Sequence, residues 1–209
     1  GEGITPIVEA APALRDQVGV SFAYKNDGQN PSASFKDRGM ACAFSYLKWL
    51  CRRNKWDEVL TVCASTGDTS AAAALYASYV GAPLKSVVLL PHGKVTPQQL
   101  AQPLGSGATV LELPGVFDDC MKVVELLAEN YRVALLNSKN GWRILGQESY
   151  AYEVAQWYGW DMTDQCLFVP IGNASNVTAI MCGLLKMLDL GIITSMNYEV
   201  ISEAVCSVR

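Results

Sequence analysis

The sequence is poor in histidine and in charge, and it lacks long apolar runs. His92 is the only histidine, which excludes a metal site built on two or more histidines and argues against a Ser-His-Asp hydrolase. Only 17% of the 209 residues are charged and the formal net charge is -4, so nothing favours electrostatic binding to nucleic acid. No apolar run is long enough to span a bilayer. An enzyme with this composition is expected to use lysine or a cofactor in place of histidine.

The cysteines lack any pairing pattern. There are seven, an odd number, without a C-x-x-C motif and mostly with apolar neighbours. This predicts buried free thiols in a reducing compartment, and therefore a cytoplasmic protein. The chain opens Gly1-Glu2-Gly3 without a methionine or a signal peptide, so we expect a processed or trimmed start.

Apolar runs of strand length alternate with longer helical stretches along most of the chain. We predict strands at 59–65, 86–91, 108–114, 133–137 and 166–172, and helices at 69–81, 96–107, 117–130, 144–159 and 176–191. Because the strands are apolar on both faces, the pattern predicts a parallel α/β architecture. Residues 198–209 begin as a buried strand and then stop, so we expect the chain to be incomplete at this end.

Two stretches between a predicted strand and a predicted helix are suited to binding anions through helix N-terminal N–H groups. The stretch 64–70 carries hydroxyl groups and Gly67 ahead of a helix, and it suits a carboxylate. Ordinary N-capping by Asp68 or Thr69 explains it equally well. The stretch 170–176 contains small residues and a glycine, as expected of a phosphate cradle, although many strand-helix turns look similar.

A third stretch and a lysine complete the candidate site. The stretch 137–143 gathers amide, hydroxyl and guanidinium donors, and its alternative is a polar loop with a surface arginine. Lys36 lies in "NPSASFKDRGM", where Ser34 could cap a helix over 35–53. The helix dipole and desolvation would there favour the uncharged amine that Schiff-base chemistry needs. The alternative is a capped helix whose lysine extends to solvent.

Five segments, in this order, resemble the threonine synthase family: "GEGITPIVEA", "NPSASFKDRGM", "ASTGDTSAAAALYA", "NSKNGWRILGQ" and "PIGNASN". The resemblance covers residues 1 to about 195. Threonine synthases are pyridoxal-phosphate enzymes of the tryptophan-synthase-β-like fold, a two-lobed parallel-sheet α/β fold. The resemblance implies a larger cofactor-binding lobe over 1–55 and 136–209 and a smaller mobile lobe over 56–135. It also implies a lyase of threonine biosynthesis, which converts O-phosphohomoserine and water to L-threonine and phosphate.

The resemblance further implies roles for individual residues. Lys36 would hold pyridoxal 5'-phosphate covalently and then move protons, with Asp68 near the phenolic oxygen of the cofactor. The cofactor phosphate would be bound by Gly172, Asn173, Ala174, Ser175 and Asn176. The substrate carboxylate would be bound by Ser65, Thr66, Gly67 and Thr69, and the substrate phosphate by Asn137, Ser138 and Arg143. No metal, membrane or nucleic-acid partner is implied, and a homodimer is compatible with the resemblance.

The sequence departs from the family pattern at three points. Ser175 stands where the family more often has glycine, which would cause strain if that position needs a positive φ. Asp68 stands where many relatives carry asparagine, and a carboxylate there would alter the protonation of the cofactor linkage. The hydroxyl residue expected to face the pyridine nitrogen would lie beyond residue 209. Two alternatives therefore stay open: a threonine- or serine-type deaminase that uses pyridoxal phosphate, and a catalytically silent homologue.

Overall fold

The computed structural model describes residues 3–196, and these form two compact units. The central unit is one continuous stretch, 36–146, and the split unit combines 3–35 with 147–196. The lobes predicted at 1–55 with 136–209 and at 56–135 stay a prediction, because compactness alone does not show which residues move together.

The secondary structure alternates between strands and helices, as the parallel α/β prediction requires. The strands are β1 (Ile7–Glu9), β2 (Ala23–Lys25), β3 (Val59–Ala64), β4 (Leu84–Pro91), β5 (Thr109–Leu113) and β6 (Val133–Leu135). The helices are α1 (Pro12–Val18), α2 (Lys36–Asn54), α3 (Asp68–Val80), α4 (Pro97–Gly105), α5 (Phe117–Asn130), α6 (Gly141–Gln147), α7 (Ser149–Trp157) and α8 (Ser175–Asp189).

A four-stranded parallel sheet of order β5-β4-β3-β6 forms the middle of the central unit. Strand β3 pairs with β4 on one side and with β6 on the other, with Val62 opposite both Val87 and Leu135. The sheet and α2 share a core that includes Met40, Phe44, Val88, Leu90 and Leu136. Strands buried in this way explain why the sequence shows continuous apolar runs there and little alternation. The parallel α/β prediction is confirmed.

Local sequence sets the ends of the helices in the central unit. Helix α4 begins after Thr96 with a capping box, in which Thr96 Oγ1 accepts from Gln99 N and Gln99 Oε1 accepts from Thr96 N. Pro97 occupies its first turn, where the missing N–H costs nothing. Helix α5 buries Val124 completely.

The split unit pairs β1 with β2 in antiparallel orientation and packs α7 against α8. The two helices approach closely at Gly183, where an added Cβ would lie 2.9 Å from Ala151 Cβ. Lys25 joins the first part of this unit to the second. Its Nζ lies 2.6 Å from a carboxylate oxygen of Glu153 and donates to Thr5 O at 2.8 Å.

Two predicted elements differ from the structure. The single helix predicted at 144–159 begins earlier and is divided into α6 and α7 at Glu148, whose carboxylate accepts from Tyr152 Oη and Lys186 Nζ. The apolar pattern continues through this break because both helices bury one face. The strand predicted at 166–172 is wrong, since this segment pairs with no strand of residues 3–196.

Segment 166–172 nevertheless keeps a strand-like alternation. Leu167 and Val169 pack against the core of the split unit while Phe168 is 71% exposed. A period of two predicts an extended backbone, but only a neighbouring chain makes it part of a sheet. The strand predicted at the start of 198–209 lies outside the described residues. Within residues 3–196, every helix is too short or too polar to cross a membrane.

Candidate active site

Lys36 is the first residue of α2, as the predicted helix requires. It is partly buried, and the next two residues, Asp37 and Arg38, are buried. The lysine therefore lies at the positive end of a helix of 19 residues, in surroundings that restrict water. The position is the one that the sequence predicts for Lys36, and its role as the cofactor lysine stays a prediction.

The stretch 64–70 forms the turn from β3 to α3. Gly67 is the N-cap residue of α3, so the alternative in which Asp68 or Thr69 caps the helix is wrong, because both lie inside it. Within the turn, Ser65 Oγ accepts from Gly67 N at 3.2 Å and Ser70 Oγ donates to Gly67 O at 2.7 Å. Among the first-turn N–H groups of α3, that of Ser70 bonds to Gly67 O at 3.1 Å, whereas that of Thr69 has no acceptor within the helix, so this turn presents a donor to an anion.

The stretch 137–143 is tied to the first turn by one buried side chain. Asn137 Oδ1 accepts from Ala64 N at 3.1 Å, and Asn137 Nδ2 donates to Ala64 O at 2.7 Å. The amide thus bonds both backbone groups of one residue, which fixes the end of β6 beside the end of β3. Asn137 therefore has a structural role. The substrate-binding role that the resemblance implies for Asn137 stays a prediction.

Asn140 was not predicted as a functional residue, although it positions the arginine of this stretch. Its Oδ1 accepts from Trp142 N at 2.9 Å and from Arg143 N at 3.3 Å, and its Nδ2 donates to Leu135 O. It therefore acts as the cap of α6 and anchors that cap to β6. The available signal was an asparagine directly before Gly141, the residue at which the helix begins.

Arg143 is buried, so the interpretation of this residue as a surface arginine is wrong. Its side chain is 1% exposed, and Nη1 donates to Leu136 O at 2.7 Å. Its Nε has no hydrogen-bond partner among residues 3–196, and no carboxylate of these residues forms an ion pair with it. Burial lowers the pKa of Arg143 to about 10, which leaves the guanidinium charged at neutral pH. A buried cation without a counter-ion is a strong indication of an anion site.

Two of the three predicted stretches, 64–70 and 137–143, lie in the central unit together with Lys36. Strands β3 and β6 are parallel neighbours, so the turns that follow them leave the same edge of the sheet. Helix α2, which carries Lys36, contacts the stretch 137–143 at Gly39. A Cβ added to Gly39 would lie 2.8 Å from Arg143 O. The lysine helix, the N-terminus of α3 and the buried guanidinium thus belong to one arrangement.

The predicted phosphate loop lies in the split unit, where it leads into α8. Ala174 has φ 63°, in the left-handed region, and Ser175 begins the helix. The positive φ considered for Ser175 is therefore found at Ala174. The left-handed conformation of this alanine destabilises the loop by roughly 1–2 kcal/mol. Asn173 Oδ1 accepts from Ser175 N at 3.2 Å and from Ser175 Oγ at 2.9 Å.

The loop fits a phosphate group. Gly172, Asn173 and Ala174 are exposed, and the N–H groups of Asn176 and Val177 have no acceptor within the helix. A left-handed residue directly before a helix N-terminus turns successive N–H groups toward one point, a known anion-binding geometry. Within the part of the chain that the structure describes, no three histidine, cysteine or acidic side chains are grouped to hold a metal.

The fold and these turns define a class of protein. The chain belongs to the pyridoxal-phosphate dependent enzyme family, whose model matches residues 1–197. The family resemblance and the cofactor predicted from the sequence, pyridoxal phosphate, are confirmed at this level.

The relatives in sequence are threonine synthases. The chain is 41% identical over 192 residues to that of Synechocystis sp. and 40% identical over 193 residues to that of Methanocaldococcus jannaschii. The matches cover 91% and 92% of this chain but 47% and 45% of those proteins. The chain thus spans about half the length of the curated relatives it matches.

Solved structures agree with the fold. The threonine synthase from Brucella melitensis with bound pyridoxal phosphate superimposes with a TM-score of 0.66 at 25% identity, over 78% of this chain and 36% of that one. The diaminopropionate ammonia lyase of Escherichia coli gives a TM-score of 0.73 at 17% identity, over 92% of this chain and 58% of that one. The second likeness concerns the fold alone.

Proposed function

We propose that the protein is a threonine synthase, a pyridoxal-phosphate dependent lyase that converts O-phosphohomoserine and water to L-threonine and phosphate. The observation that carries this proposal is Arg143, a buried guanidinium without a counter-ion in the described residues. It shares the central unit with the helix of Lys36 and the donor-rich turn of α3. A substrate with a carboxylate and a phosphate needs two such anion sites, and about 40% identity to threonine synthases supports this substrate.

Each group of residues would have a distinct task in this reaction. The bound cofactor supplies an electron sink for carbanions. Lys36 would hold it and, once the substrate has taken its place, would accept and return protons at Nζ. The loop 172–176 would bind the cofactor phosphate through the first N–H groups of α8.

The substrate would be held at both of its charged ends. The N-terminus of α3, with hydroxyl groups of Ser65, Thr66 and Thr69 beside it, would bind the carboxylate. Arg143, with Ser138, would bind the phosphate. As the carbon–oxygen bond breaks, charge accumulates on the leaving phosphate, and a guanidinium that is already desolvated stabilises it without having to reorganise. Fixing both ends also orients the carbon to which water adds.

The proposal is tested by an absorbance spectrum of the purified protein with pyridoxal phosphate, recorded before and after addition of O-phosphohomoserine. We expect a visible band that shifts with substrate, together with release of phosphate and formation of threonine. A band that ignores O-phosphohomoserine but responds to threonine or serine would instead indicate a deaminase. If no band forms, the protein is a catalytically silent homologue.

The role of Arg143 is tested with Arg143→Ala and a matched control, Arg53→Ala. Arg53 is an arginine of α2 whose guanidinium stacks on Trp49, 5.1 Å from the ring centroid. We expect Arg143→Ala to raise KM for O-phosphohomoserine by about ten- to a hundredfold, as the loss of a charged hydrogen bond of about 1.5–3 kcal/mol predicts, and Arg53→Ala to leave it unchanged. Equal KM values in the two variants would contradict the phosphate-binding role.

We also propose that the protein works in the cytoplasm. All six described cysteines are free, and Cys51, Cys63 and Cys120 are buried. Free buried thiols are the form expected in a reducing compartment.

A further inference from the structure

Helices α2 and α6 touch each other at two glycines. A Cβ added to Gly39 of α2 would lie 2.8 Å from Arg143 O and 3.2 Å from both Arg143 Cα and Cβ. A Cβ added to Gly146 of α6 would meet Arg38 O and would lie 2.7 Å from Cys42 Cβ. Each glycine therefore faces the backbone of the other helix, and neither leaves room for a side chain.

The requirement for glycine at these positions is steric. Neither Gly39 nor Gly146 has a positive φ, so the backbone conformation alone would accept any residue. Glycine inside a helix is less favourable than alanine. Gly105, at the end of α4, shows the contrast: no atom of the described residues comes within 4 Å of an added Cβ there.

The contact between α2 and α6 lies between Lys36 and Arg143, the two side chains whose separation the proposed reaction requires to be fixed. Gly39 follows Lys36 by three residues, which is about one helical turn. On the other side it meets the backbone and Cβ of Arg143, the root of the buried guanidinium. Arg143 is fixed independently by the Asn140 cap and by its bond to Leu136 O. An added methyl group would thus act on an arginine that cannot yield by changing rotamer, because the nearest atom is backbone.

We propose that Gly39 is a positioning residue: by lacking a side chain, it lets the turn that carries Lys36 lie directly on the backbone of Arg143, and so fixes the guanidinium relative to the lysine amine. This inference rests on the proposed function. It adds a residue that touches neither substrate nor cofactor but sets the distance between the groups that bind them. Gly146 lies one turn beyond Arg143 on the same face of α6 and contacts α2 at Arg38 and Cys42, so it supports the same helix pair.

The test compares Gly39→Ala with the matched control Gly105→Ala, both loaded with pyridoxal phosphate. The readouts are the Kd for inorganic phosphate by calorimetry, KM and kcat for O-phosphohomoserine, the cofactor absorbance and the thermal unfolding midpoint. Arg143→Gln gives the Kd expected when the guanidinium contributes nothing. Because a misplacement of about 1 Å can cost a hundredfold, we expect Gly39→Ala to raise the Kd for phosphate and KM by about tenfold or more while the cofactor band is retained. Gly105→Ala should change none of these.

A folded Gly39→Ala protein with unchanged phosphate Kd and KM, even at a lower unfolding midpoint, would overturn the inference and leave Gly39 as a packing residue. If Gly39→Ala fails to fold, Cys42→Val widens the same crossing with both glycines intact. It should then raise the phosphate Kd in the same direction by about threefold, as a smaller displacement of the guanidinium predicts, and an unchanged Kd would overturn the inference. Failure of the proposed function is seen separately, as absence of phosphate release by the wild-type protein, while the Kd comparison remains valid.

Discussion

At the scale of single residues, the central pair is Arg143 and Cys63. Burial raises the pKa of the Cys63 thiol to about 12, although the charge of Arg143 acts in the opposite direction. The thiol is therefore neutral at physiological pH and provides no negative charge to compensate the guanidinium. The cation stays available for an anion from outside the protein.

The same shift predicts how alkaline pH affects stability. The ordinary pKa of the thiol is 9.0 and its folded value is about 12, so the unfolded chain releases this proton first as the pH rises. The stability that Cys63 contributes is thus complete below pH 9 and is lost between pH 9 and pH 12, at up to about 1.4 kcal/mol per pH unit. Urea denaturation at pH 8 to 11 should show a less steep fall for Cys63→Ala than for the wild type. If the free energy of unfolding falls equally steeply with pH in both proteins, the raised pKa of Cys63 does not contribute to stability.

At the scale of secondary-structure elements, α6 is the most dependent on a single side chain. The helix has seven residues, too few to be stable by propensity alone. The cap from Asn140 satisfies two of its first N–H groups and ties it to β6. The position of Arg143 therefore depends on a residue that is itself outside the helix.

Replacement of Asn140 by alanine should lower the free energy of unfolding by about 1 kcal/mol or somewhat more. Asn130→Ala is the control, because Asn130 is an exposed residue at the end of α5 that donates only to Leu126 O in its own helix. Chemical denaturation would compare the two variants, with Asn140→Asp expected to recover part of the loss since it keeps the accepting oxygen. A loss no larger than that of Asn130→Ala would show that the cap is not needed.

Elements were predictable where local signals agreed with one another. Strand β3 and helix α3 have a buried apolar run and a glycine at each turn, and they were found within two residues of their bounds. The pair β1 and β2 was not predicted, because three-residue strands are too short to show a period. The strand predicted at 166–172 failed because pairing depends on a neighbour that no local pattern contains.

Some features of the candidate site could likewise be predicted from the sequence, and others could not. The lysine at a helix N-terminus and the three turns could be read from residue types and spacing. The burial of Arg143 could not, because it depends on which helix covers it, and α2 does so through Gly39. The left-handed residue in the phosphate loop was expected at Ser175 if anywhere but lies at Ala174, a difference of backbone geometry that residue identity does not determine.

At the scale of the molecule, the main feature is that the split unit is assembled from two distant parts of the chain. Lys25 is a tie between those parts: its side chain is 3% exposed, it pairs with Glu153, and it lies 5.9 Å from the ring centroid of Tyr150. A buried pair of this kind is costly to break, because the remaining charge stays desolvated.

Lys25→Met should therefore lower the free energy of unfolding by about 3 kcal/mol. The control is Lys139→Met, which removes the exposed pair with Glu125 and should cost less than about 1 kcal/mol. Both are measured by urea denaturation under the same conditions. Equal effects would mean that Lys25 does not hold the two parts of the split unit together.

The continuous path of the central unit has a consequence for synthesis on the ribosome. Every residue of 36–146 has been made before Gln147 is added, so this unit can complete its sheet while the chain is still growing. Residues 3–35 must wait through that entire interval, because α7 and α8 follow residue 146. Synonymous codons that slow translation just after residue 146 should thus help the central unit to finish folding, whereas the segment before Lys36 is the part that a nascent-chain chaperone would have to protect longest.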